Sequence, residues 1–131
     1  MQNKVIMGLI STLLALVGCK ASAGDHPYES VDVTKFEEVI ADSAVFRLDV
    51  RTAEEYADGH IAGAVNIDVL APEFEQKAVT AIPKGKTVAL YCRSGRRSKK
   101  AADILRAKGY QVVELDNGFT SWTNANRPIE R

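Results

Sequence analysis

Residues 87–98 constrain the fold more than any other stretch of this chain. Thr87-Val88-Ala89-Leu90-Tyr91 is an uninterrupted apolar run, the pattern of a strand buried on both faces. Cys92-Arg93-Ser94-Gly95-Arg96-Arg97 breaks it with a polar turn. From Ser98 to Lys108 a helix is predicted, because Ala101, Ile104, Leu105 and Lys108 share one face and Gly109 can stop it. A strand without a polar face needs helices on both sides of its sheet. An α/β fold with a mostly parallel sheet is the expectation.

The remaining segments fit that plan. Thr34 with Glu37 reads as a capping box opening a helix to about Ala41, and Thr52 with Glu55 reads as another, stopped by Gly59. Val45–Val50, Ala64–Ile67 and Tyr110–Leu115 read as strands. Pro72 stands where the first residue of a further helix belongs, with a helical pattern to Ile82 and a stop at Pro83. Trp122 falls in a short terminal helix. No repeat or low-complexity segment interrupts the alternation of strand and helix.

The first 23 residues are of another kind. Lys4 precedes the apolar run Val5–Val17, whose thirteen residues would span about 20 Å as a helix. That is short of the roughly 30 Å hydrocarbon layer, so the run reads as a secretion leader rather than a membrane span. Two cleavage sites are open. Ala21-Ser22-Ala23 suits cleavage after Ala23, whereas Leu16-Val17-Gly18-Cys19 resembles a bacterial lipobox, with cleavage before Cys19 and lipidation of that cysteine. Either one exports the chain to the periplasm of a bacterium, and a lipid on Cys19 would be its one membrane contact. Residues 24–131 are then a single domain, with 24–30 a flexible lead-in that carries His26.

Composition limits the partners. The 131 residues carry 17 Lys+Arg and 17 Asp+Glu, which gives no polybasic surface for nucleic acid and no acidic disordered tail. Two cysteines without C-x-x-C spacing argue against a disulfide framework or a structural zinc site. Neutrality hides a local asymmetry. Without residues 1–23 the net charge is −2, yet Arg93, Arg96, Arg97, Lys99 and Lys100 fall within eight residues.

That cluster surrounds the turn where chemistry is expected, since ligands of parallel α/β sheets gather beyond the carboxyl ends of the strands. Gly95 permits a tight turn whose N–H groups point inward, as a nest for an anion at a helix N-terminus. In that setting Cys92 would be held as thiolate, the nucleophilic form. Cations at a helix N-terminus oppose the helix dipole by about a few tenths of a kcal/mol each. Their presence points to an anion, either the sulfur itself or an oxyanion substrate.

Four motifs now stand in order: Leu48-Asp49-Val50-Arg51; Glu55-Tyr56; Gly59-His60-Ile61-Ala62-Gly63-Ala64-Val65-Asn66-Ile67; and Tyr91-Cys92-Arg93-Ser94-Gly95-Arg96-Arg97-Ser98. Together with Gly118-Phe119 and Trp122 they resemble the rhodanese family over Thr34–Pro128. A short exported chain with one such domain is similar to the family's secreted, phage-shock-protein-E-like type. The resemblance implies a three-layer α/β/α fold with about five strands; a monomer with neither cofactor nor metal is expected. It also implies transfer of sulfane sulfur from thiosulfate or a similar donor to cyanide or a thiol, through a persulfide on Cys92. The loop Arg93, Ser94, Gly95, Arg96, Arg97 and Ser98 would then bind substrate. No general base is required, because sulfite leaves without a proton.

Other residues admit plainer readings. Asp49 and Arg51 either brace the active loop or form a buried salt bridge fixing their own turn. His60 is expected in a structural hydrogen bond, and Tyr56 and Trp122 in the core or its rim. Two rival functions remain. A Cys-dependent phosphatase or arsenate reductase has His-Cys, five residues and then arginine, whereas here Tyr91 precedes the cysteine and Ser98 stands where arginine should. The other rival is a non-enzymatic persulfide carrier or binding module of the same family.

Overall fold

The computed structural model describes residues 28–131; the leader, Cys19, His26 and both cleavage sites lie outside them. Five strands, β1 (Glu29–Val31), β2 (Phe46–Asp49), β3 (Val65–Asn66), β4 (Thr87–Tyr91) and β5 (Gln111–Leu115), pair in parallel in the order β1-β5-β4-β2-β3. Helices α1 (Val33–Ile40), α2 (Ala53–Asp58), α3 (Phe74–Ala81), α4 (Arg96–Ala107) and α5 (Gly118–Asn124) connect and cover them. This is the mostly parallel α/β arrangement of about five strands that was expected.

The period-two alternation of strand side chains divides the interior into two cores. Leu48, Val88, Leu90 and Val112 face one way, against Phe74, Ala78, Ala101 and Leu105 of α3 and α4. Ala89, Tyr91, Val113 and Leu115 face the other way, against Phe36 and Ile40 of α1 and Trp122 of α5. The uninterrupted run of β4 thus has the reason inferred for it. The strand is central, with both faces buried.

The structure departs from the sequence reading in four places. The cap of α1 is Asp32, whose carboxylate accepts the Lys35 N–H at 2.9 Å, and not Thr34. Starting at Val33 puts Phe36 and Ile40 together in the core. Pro72 does not open α3. It lies within a turn closed by Phe74 N–H on Ala71 O (3.0 Å), after Asp68 has bonded the Leu70 N–H (2.8 Å). Residues 29 and 30, expected in the lead-in, belong to β1, which aligns Glu29 with Val113 and Val31 with Leu115. Helix α4 begins two residues early, at Arg96. The Thr52–Glu55 capping box forms as predicted.

Candidate functional site

Parallel pairing brings the carboxyl ends of β2, β4 and β5 together, and Cys92 is the first residue beyond β4. Its thiol is free and its residue 1% exposed, at the floor of the 92–98 loop. Gly95 N–H donates to Sγ at 3.1 Å, and Sγ lies 3.6 Å from the Ser98 hydroxyl oxygen. Gly95 and Ser98 thus hold the sulfur from two sides of the loop.

Two glycines make this loop possible. Gly95 has φ +106°, and a Cβ there would stand 1.9 Å from Asp116 O. Gly118 has φ +62°, and its Cβ would stand 2.6 Å from Cys92 O. With no side chain at 118, α5 starts directly on the loop. Phe119 N–H donates to Cys92 O (2.8 Å) and Thr120 N–H to Arg93 O (3.0 Å). The Cys92 and Arg93 carbonyls are thus turned into α5, which points the N–H groups of Arg93 and Ser94 the opposite way.

The five cations separate into two groups. Arg93, Arg96 and Lys100 are exposed and, among the described residues, meet no carboxylate at ion-pair distance. Arg97 instead makes a two-pronged pair with Glu55 on α2, at 2.8 and 3.0 Å. That pairing raises Arg97 above its usual value and depresses Glu55 to about 2, so the pair is fully charged at neutral pH. Lys99 bonds Glu114 and Asp116. The acids were missed because they come from elsewhere in the chain. Glu55 was already accounted for as a cap residue. Glu114 did carry a signal, being a charged residue between the apolar Val113 and Leu115 of a strand.

Asp49 and Arg51 form the buried salt bridge of the plainer reading. Arg51 Nη2 is 2.6 Å from the Asp49 carboxylate, and both residues are almost fully buried. Burial opposes the Arg51 cation, but the hydrogen bond and charge of Asp49 outweigh it and hold Arg51 above its usual value. The Asp49 charge, after burial itself, pushes the Tyr91 hydroxyl upward as well. The Arg51 guanidinium lies 4.2 Å over the ring of Phe119, the residue whose N–H holds Cys92 O. His60 makes the structural bond expected of it, 2.9 Å from Tyr56 O, and stacks on the Tyr56 ring. Trp122 is buried, with its N–H on Pro128 O (2.8 Å).

Beside the loop opens a cavity of about 320 Å³, whose walls include Arg51, Glu55, Asp58, Arg93, Phe119 and Thr120. Among the described residues, no three His, Cys, Asp or Glu side chains are grouped to hold a metal ion. The arrangement offers sulfur nucleophilicity, N–H donors and an exposed positive rim. It suits attack on a small anion.

Comparison with known proteins agrees with this arrangement. A family model described as a rhodanese-like domain matches residues 32–125. The chain is 42% identical over 73 residues to the thiosulfate sulfurtransferase PspE of Escherichia coli, covering 55% of this chain and 68% of that protein. It is 34% identical over 102 residues to a sulfurtransferase of Allochromatium vinosum, covering 76% and 92% respectively. Among solved structures, a rhodanese-related protein from Thermoplasma volcanium superposes with a TM-score of 0.70 at 30% identity, over 79% of this chain and 98% of that one.

Proposed function

The chain belongs to the rhodanese family, whose members support sulfur transfer in general, and from that premise we propose that it is a thiosulfate sulfurtransferase working through Cys92. The Cys92 thiolate attacks the outer sulfur of thiosulfate, the S–S bond of the donor breaks, and sulfite leaves with the bonding pair. The persulfide formed on Cys92 then yields its outer sulfur to cyanide or a thiol, which regenerates the thiolate. The carrying observation is the fit of the loop to one sulfur: Gly95 N–H already touches Sγ, and the Arg93 and Ser94 N–H groups are turned away from α5, where they can meet a charged outer sulfur. Tyr91 before the cysteine and Ser98 in place of the arginine differ from the phosphatase pattern, and four residues between Cys92 and Arg97 instead of five leave little room for a tetrahedral phosphate.

Thiocyanate formation from thiosulfate and cyanide tests this reading. Parallel double-reciprocal lines are expected, since donor and acceptor visit the enzyme in turn. Turnover of a phosphotyrosine mimic without thiosulfate activity would overturn it. A chain that accepts sulfur from a protein donor but never from thiosulfate would instead be a carrier.

The exposed arginines supply donor attraction. Arg93→Ala and Arg96→Ala are each expected to raise the thiosulfate KM several-fold with little change in kcat, and added salt should reproduce the effect by screening. Unchanged KM in both variants would remove the electrostatic account. Arg97→Ala should cost more, because it also leaves the Glu55 carboxylate uncompensated beside the loop. We place the reaction outside the cytosol on the strength of the leader, with Cys19 lipidation or cleavage after Ala23 as the two alternatives.

A further inference from the structure

Gly95 supplies the N–H that reaches Cys92 Sγ at 3.1 Å, yet a glycine does not hold its own conformation. It stands at φ +106° as the N-cap of α4, with no side chain to bond that helix. The direction of its N–H must therefore be fixed from outside the residue.

Lys99, in the opening turn of α4, is placed to do so. Its Nζ donates to Gly95 O at 3.2 Å, to Glu114 at 3.1 Å and to Asp116 at 2.9 Å. An ammonium has three protons, and these three oxygens take them. Both carboxylates are anchored in turn. Glu114 is fully buried and accepts the hydroxyls of Ser98 and Ser30, each at 2.5 Å. Asp116 gives its N–H to Val31 O of β1 at 2.9 Å, and its own carbonyl oxygen abuts Gly95, where a Cβ would stand 1.9 Å away.

A cation in the opening turn opposes the dipole of α4, so the helix itself gives no reason for it. Burial opposes the Lys99 charge too, but the hydrogen bonds and charges of Asp116 and Glu114 outweigh it and hold Lys99 above its usual value. The ammonium thus ties the active loop to the end of β5.

We propose that Lys99 is a positioning residue that aims the Gly95 N–H at Cys92 Sγ and so speeds the step in which that sulfur regains its charge. The step is discharge of the persulfide. Cyanide carbon, or the sulfur of a thiolate, forms a bond to the outer sulfur, the S–S bond breaks, and Sγ leaves as thiolate with the bonding pair. An N–H aimed at Sγ stabilises the charge as it develops there. Loading runs the other way, because the Sγ charge is used up as its bond to the donor forms. Lys99 therefore acts on discharge and not on loading. The claim about discharge rests on the sulfurtransferase reading; the claim about the Gly95 N–H does not.

The background for the test is Glu114→Gln, which leaves both serine hydroxyls an oxygen and strands no buried charge once Lys99 is changed. Lys99→Met added to it keeps the length of the stem and removes the three donors. In the full chain, hydrogen exchange at the Gly95 N–H should then quicken about tenfold relative to the amides of β4, whose protection reports the whole fold. Donor and acceptor visit in turn, so each kcat/KM reports its own half-reaction. Relative to Glu114→Gln alone, kcat/KM for cyanide should fall about tenfold, less than the loss of a whole donor costs, and kcat/KM for thiosulfate should not fall. Unchanged Gly95 exchange, or unchanged discharge, overturns the proposal. Equal loss of both kcat/KM values also overturns it, since a generally loosened loop would slow both steps. If Gly95 exchange quickens but thiosulfate forms no persulfide even on the unmodified chain, the sulfurtransferase reading fails and the link from Lys99 to Gly95 stands.

Discussion

Cys92→Ser is expected to reduce thiocyanate formation to the uncatalysed background while leaving the fold intact. The reaction needs a nucleophile that attacks as an anion and forms a sulfur–sulfur bond. A serine hydroxyl is neither so acidic nor so polarizable, and no described cysteine other than Cys92 can substitute. The fold should survive because the oxygen can keep both neighbours of the sulfur, the Gly95 N–H and Ser98. Circular dichroism and the thermal transition should therefore match the unmodified protein. Retained thiocyanate production in a well-folded Cys92→Ser protein would mean that another group carries the sulfur.

Asp49→Ala should cost about 3–5 kcal/mol of stability, the loss expected when one member of a buried ion pair is removed. Asp49 accepts from the Arg51 backbone N–H (2.9 Å), from Nε and from Nη2 (2.6 Å), so its removal strands a cation beneath the active loop. A domain of this size has only about 5–15 kcal/mol in total. The variant should thus unfold at much lower denaturant concentration and lose activity through Phe119, which Arg51 supports. Replacing both residues with apolar ones of similar volume should recover much of the stability. A midpoint for Asp49→Ala close to that of the unmodified protein would show that the pair is only geometric.

The readable parts of the chain were those whose causes are local. The β4 run, the α4 face and the Thr52–Glu55 box each express their reason within a dozen residues, and all three formed. Cys92 was legible for the same reason, as the first residue of a turn at the end of the strongest strand. What escaped depends on partners far along the sequence. Glu55 meets Arg97 across 42 residues, and Glu114 meets Ser98 across 16. The cationic segment therefore looked more positive than the folded rim is. Strand β1 escaped because three residues are too few to show a period, and only the edge of β5 defines it. The cap of α1 was misplaced because Asp32 and Thr34 are both competent caps, and burial of Phe36 and Ile40 decided between them.

The central claim is that Cys92 carries the travelling sulfur. The most direct measurement is the mass of the Cys92 peptide, isolated at low pH without reductant, after thiosulfate and again after cyanide. The account predicts a gain of one sulfur atom on Cys92 with thiosulfate and its complete loss with cyanide, with thiocyanate appearing in equal amount. An unchanged mass after thiosulfate, or an added sulfur on any other residue, would contradict it.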